Sequence, residues 1–219
     1  MTEKSGPLAG IRLLEIDAIG PVPLAAMLLA DMGAEIVRIA RPPSAAAGDW
    51  DDVGGDILHR SRVVTHLDLK QDADREQLLA LIERADGLIE GYRPGVMERL
   101  GVGPDVCLAR NPRFVFGRMT GWGQSGPLAL RAGHDINYLS ITGALHAMGE
   151  RQGTPPVPLN LVGDYGGGAM FLIFGLLSAL LAAQRTGRGQ VVDACITDGV
   201  DDLPCLLYTS DAADEEDSV

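Results

Sequence analysis

Two carboxylates and one imidazole near the middle of the chain have the types and the setting to move protons. His134 and Asp135 stand in Ala132-Gly133-His134-Asp135-Ile136-Asn137-Tyr138, and Asp164 stands in Leu161-Val162-Gly163-Asp164-Tyr165-Gly166-Gly167-Gly168. An imidazole titrates near working pH, which makes His134 a natural acid or base. Asp164 precedes a glycine trio that opens the most apolar run in the chain, so it is expected at a helix N-terminus, where free N–H groups and the dipole favour negative charge. If the two ends of this stretch face each other, one group removes a proton from a small substrate and the other returns one. Asp135 would orient or charge-stabilise a histidine. The N–H groups of Asp164, Tyr165, Gly166 and Gly167 would form an oxyanion site, with the glycines allowing close approach. The plainer alternatives are a hydrogen-bonded His–Asp pair in a loop and an Asp164 that only caps a helix.

The elements that must hold these groups read as α/β. Ile11 to Ile16 is an apolar run between Gly10 and Gly20, as in a buried strand. Pro23 suits the first turn of a helix, and Leu24 to Met32 continues it to Gly33. Glu35 to Ile39 is a second strand, which completes a βαβ unit and implies a parallel sheet. The unit lacks the G-x-G-x-x-G of a dinucleotide site. Arg38 in the second strand and Arg41 after it suit a phosphate or a stacked base, or are solvated strand-end charges. Strands are further expected at Val63 to Leu69, Gly87 to Glu90, Phe114 to Arg118 and Gln190 to Asp193. Ala73 to Ala85 has the spacing of an amphipathic helix, and Tyr165 to Gln184 reads as a long buried helix stopped by Gly187. Pro42 to Gly55 and Glu150 to Pro158 read as loops.

Composition narrows the function classes. The 219 residues are 46% hydrophobic and 22% charged, enough to bury a sizeable core. The net charge is −12, but seven of the 30 acids lie in Asp201 to Val219, so the first 200 residues carry only −5. No basic footprint for nucleic acid is present. Cys107, Cys195 and Cys205 have neither CxxC nor metal spacing, which points to a reduced, cytoplasmic setting. Met1 to Gly10 has no apolar core of a signal peptide. The apolar run from Ala169 to Ala183 is about 15 residues, short of the roughly 20 that cross a bilayer, so no membrane association is expected.

The motifs quoted above, with Glu90-Gly91-Tyr92-Arg93-Pro94-Gly95, Met119-Thr120-Gly121-Trp122-Gly123-Gln124 and Gly187-Arg188-Gly189-Gln190-Val191-Val192-Asp193, resemble in register the class III CoA-transferase and α-methylacyl-CoA racemase family, the racemase branch most. The resemblance runs from about Gly6 to about Asp202. It implies a Rossmann-like parallel sheet flanked by helices, the CoA-binding large domain of the family, over residues 1–202. It also implies an acyl-CoA substrate epimerised at the carbon α to the thioester, no metal, no organic cofactor, and an interlocked homodimer in the full-length form. His134 and Asp164 match the family's catalytic positions. Arg41, Leu67, Asp68, Leu69, Lys70, Gly91, Tyr92, Arg93, Arg99, Gly133, Ile136, Asn137 and Tyr138 match its CoA-contacting positions. The resemblance also implies a later small domain, which is expected to be missing from this chain. Residues 203–219 are expected to be a non-native or disordered acidic tail, and the chain is expected to stop short of its native end. The alternatives are a CoA transferase with Asp164 as nucleophile and an inactive CoA-binding fragment.

Overall fold

A computed structural model describes residues 5–43, 55–150 and 152–204. The acidic tail from residue 205 and most of the expected loop at Pro42 to Gly55 lie outside the described residues. Six strands form one sheet: β1 (Arg12–Ile16), β2 (Glu35–Ala40), β3 (Arg62–His66), β4 (Gly87–Glu90), β5 (Val115–Thr120) and β6 (Gln190–Cys195). Every pairing is parallel, and the order is β3-β2-β1-β4-β5-β6. The chain winds outward from β1 in one direction and then from β4 in the other. The crevice between the C-terminal ends of β1 and β4 is therefore the switch point where such sheets bind ligands.

Successive residues of a strand point to opposite faces, and in the four central strands β2, β1, β4 and β5 both faces are buried. Leu13, Ile36, Ile89 and Val115 join one core, against α1 (Pro21–Asp31) and the later helix Phe171–Thr186. Their neighbours Leu14, Val37, Leu88 and Phe116 join or pack against the other. That second core is covered by α3 (Asp72–Ile82), α4 (Val96–Arg99) and α5 (Pro104–Arg110); a short α2 (Gly55–Leu58) precedes β3. β3 ends before the expected Leu69 because Asp68–Gln71 folds into a turn, closed by the Gln71 N–H donating to the Asp68 carbonyl at 2.8 Å. There the Asp68 N–H donates to Asp74 Oδ2 at 2.7 Å and the Lys70 N–H to Asp68 Oδ1 at 3.1 Å.

Two helices in the region of the candidate site differ from expectation. His134 and Asp135 do not share one loop: His134 is the extended N-cap at the loop's end and α6 (Asp135–Ile141) starts immediately after it, with the His134 N–H donating to Asn137 Oδ1 at 3.0 Å. α7 (Ala144–Ala147) follows. The long apolar helix starts at Leu161 rather than Tyr165. Its first stretch, Leu161–Met170, is a wide π-helix that runs into α8 (Phe171–Thr186). The Tyr165 N–H accordingly reaches back five residues to the Asn160 carbonyl, at 3.0 Å. This segment is long and apolar enough by composition to cross a membrane, but Leu172, Leu176, Ala179 and Leu180 are buried in the core.

Glycines let the π-stretch seat closely on α9 (Ile196–Asp202). A Cβ at Gly167 would lie 2.6 Å from Val200 Cγ2 and 2.7 Å from its backbone nitrogen. Gly167→Ala is expected to destabilise the fold by about 1–3 kcal/mol through overpacking, read as a lower calorimetric Tm. An unchanged Tm would show that α9 yields freely.

Candidate active site

The loops after β1, β4 and β5 enclose a cavity of about 320 Å³ at the switch point. Gly20 and Pro21 form one wall and Gly91 to Pro94 another. His134 enters from the start of α6, and Asp164 from the π-stretch. The two residues predicted to exchange protons therefore line one cavity. His134 is exposed and Asp164 half-buried. Burial pushes the Asp164 carboxyl up to about 6; the Asp135 carboxylate adds to the rise and His134 opposes it. A carboxyl with this value exchanges protons readily near neutral pH.

Asp135 does something other than expected. Its Oδ2 accepts the Asp164 backbone N–H at 2.6 Å, across 29 residues of chain, and the Gly163 N–H also bonds to it. It caps the π-helix and brings a second negative charge toward Asp164. The oxyanion site expected at Asp164, Tyr165, Gly166 and Gly167 is not open. The first N–H is held by Asp135 and the second by Asn160. Gly166 and Gly167 lie inside the helix, with Gly167 packed on α9.

Tyr138 and Trp122 form the floor, edge to face with ring centroids 4.7 Å apart. A Cβ at Gly133 would lie 2.7 Å from both rings, so only glycine fits there. Tyr138 is buried and its hydroxyl is pushed up to about 12, chiefly by burial, with Asp164 adding. Trp122 Nε1 is buried without a partner among the described residues.

A second cavity of about 290 Å³ lies beyond the ends of β1, β2 and β3, lined by Arg41, Leu67, Asp68, Leu69 and Lys70 with Tyr92, Val96 and Leu100. Tyr92 belongs to both cavities. Residues 8–203 match the family described as CoA-transferase family III. The chain belongs to this family. It is 41% identical over 201 residues to the α-methylacyl-CoA racemase of Homo sapiens, which covers 92% of this chain and 51% of the relative. It is 33% identical to the acetyl-CoA:oxalate CoA-transferase of Acetobacter aceti, over 89% of this chain and 52% of that one. A crystal structure of Rv3272 from Mycobacterium tuberculosis superposes with a TM-score of 0.81 at 30% identity, over 96% of this chain and 59% of that one. The chain spans about half the length of the curated relatives it matches.

Of the residues expected to contact CoA, the structure gathers Arg41, Leu67, Asp68, Leu69 and Lys70 at the second cavity and Gly91, Arg93, Gly133 and Tyr138 at the first. Arg99, Ile136 and Asn137 line neither. Arg99 is exposed at the end of α4, Ile136 is exposed on α6, and Asn137 supplies the cap to His134. Arg38 is not available to a phosphate either, because its Nε donates to Asp17 Oδ1 at 3.0 Å. Sequence reasoning passed over Trp122 and Arg131 as site residues, yet both line the first cavity. Trp122 lay within a quoted family motif, and Arg131 sits three residues before His134.

Proposed function

We propose that this site inverts the α-carbon of a 2-methylacyl-CoA thioester by moving a proton between His134 and Asp164. The observation that carries the reading is that these two groups line one cavity at the switch point, with Asp164 held near pKa 6. In this reading the nucleotide end of the substrate rests in the second cavity, where Arg41 and Lys70 meet its phosphates. The thioester passes Tyr92 into the first cavity.

Neutral His134 removes the α-proton from one face, and the electron pair moves onto the thioester oxygen as an enolate. The protonated Asp164 carboxyl then donates its proton to the opposite face of the carbon. One proton leaves and one returns, so the reaction consumes no reductant and needs neither a metal nor an organic cofactor. The reverse direction exchanges the two roles. A donor for the enolate oxygen comes from Trp122 Nε1, buried without a partner among the described residues.

The test is incubation with a single enantiomer of a 2-methylacyl-CoA in deuterated water. Deuterium enters the α-carbon as the stereocentre inverts, and failure to incorporate it contradicts the reading. The titration of Asp164 sets the pH dependence. Above about 6 its carboxylate predominates, so turnover in the direction that uses Asp164 as base rises as pH climbs through that value. Turnover in the direction that uses it as acid falls over the same window. A kcat profile flat through pH 6 in both directions would remove Asp164 from proton transfer.

The relation to a CoA-transferase favours a second reading. There the Asp164 carboxylate attacks the thioester carbonyl, expels the CoA thiolate and forms a mixed anhydride. Trapping of an acylated Asp164 by hydroxylamine, with no α-deuteration, supports transfer instead. The full-length protein is proposed to be a cytoplasmic, interlocked homodimer acting in fatty-acid metabolism, without nucleic-acid or membrane partners.

A further inference from the structure

We infer that Glu90 is a positioning residue for the CoA ester, its buried carboxylate fixing the turn Gly91–Gly95 that carries Tyr92 and Arg93 between the two cavities. The inference rests on the acyl-CoA reading above. Glu90 is the last residue of β4 and is fully buried. Its Oε2 accepts the Tyr92 N–H at 2.6 Å, which closes the turn as it leaves the sheet. Its Oε1 accepts from Arg118 Nε at 3.1 Å. Arg118, on β5, also donates to both oxygens of Glu98 on α4, at 2.7 and 3.2 Å. Strand, turn and helix are thus tied to one guanidinium.

The arrangement has a direct geometric consequence. Tyr92 lines both cavities, Arg93 and Pro94 line the first, and Val96 and Leu100 beyond the turn line the second. One carboxylate oxygen therefore sets the backbone from which the wall shared by the two halves of the site is built. A buried carboxylate that served only to neutralise Arg118 would not need its second oxygen on the Tyr92 N–H.

Two double variants separate the roles, since both remove the buried ion pair. E90Q/R118M keeps an amide oxygen for the Tyr92 N–H, and E90L/R118M keeps none. We expect free CoA, measured by calorimetry, to bind E90L/R118M on the order of tenfold more weakly than E90Q/R118M. Exchange of the Tyr92 backbone amide, followed by NMR without ligand, should be faster in E90L/R118M alone. Equal CoA affinity and equal Tyr92 exchange in the two variants would overturn the inference, as would an exchange contrast with no difference in affinity. Absence of CoA binding by the wild-type chain, with the exchange contrast intact, would sink the acyl-CoA reading while leaving Glu90's hold on the turn in place.

Discussion

His134→Ala is expected to slow inversion of a 2-methylacyl-CoA by about 10²–10⁴-fold, the usual worth of a positioned acid or base. Its effect on CoA affinity should be small, because His134 lines the first cavity and the proposed phosphate contacts lie in the second. The substitution also separates the two faces of the substrate. One enantiomer presents its α-proton to Asp164 and should still exchange it with solvent, while the enantiomer facing residue 134 should not. Equal loss of exchange for both enantiomers would mean that His134 shapes the cavity rather than carrying a proton. His134 is exposed at the start of a short helix and its backbone N–H is held by Asn137, so the fold should survive its removal.

The largest expected effect on stability lies beneath the site. Arg62, on β3, donates from Nη1 to both oxygens of Glu15 on β1, at 2.7 and 2.6 Å, and from Nη2 to the Pro23 carbonyl at 3.1 Å. Both side chains of the pair are fully buried. Arg62→Met leaves a buried carboxylate without its partner and is expected to cost about 3–5 kcal/mol in chemical denaturation. The double change E15L/R62M should recover most of that loss, since an apolar pair of similar volume avoids the desolvation penalty of both ions. A small loss in Arg62→Met would show that water reaches Glu15.

The same burial gives Glu15 a pH signature. Burial pushes its carboxyl from 4.5 up to about 7, with Arg62 opposing the rise. A carboxyl raised in the folded state binds more protons folded than unfolded between those two values. This group therefore withdraws stability as pH rises through the window, and leaves stability unaffected below it. Glu90 is raised to about 7 as well, mainly by burial, and acts in the same sense.

What was legible in the sequence follows from how local each signal is. β1, β4 and β5 are short apolar runs between glycines or turns, and their parallel order follows once helices alternate with them. α8 declared itself by length and by Gly187 at its end. The start of that helix was not legible, because its cap is the carboxylate of Asp135, 29 residues away. α6 was missed because His134 with Asn137 is an unusual pair to open a helix, unlike Ser or Thr followed by Glu. α5 was missed although Gly103-Pro104 is a fair start signal. Glu15 and Glu90 end or nearly end apolar strands, where one acid reads as an edge charge; only the packed sheet reveals that each meets a buried arginine. His134 and Asp164 were singled out as a pair because several motifs stood in family register, whereas the bare residues suit a structural role better.

The central claim is geometric, and a structure of the chain with a bound 2-methylacyl-CoA tests it most directly. The account predicts the α-carbon between the His134 ring and the Asp164 carboxyl, each on its own face of the carbon and within about 3–3.5 Å of it. A thioester carbonyl lying against Asp164 with the imidazole remote from the α-carbon would contradict it.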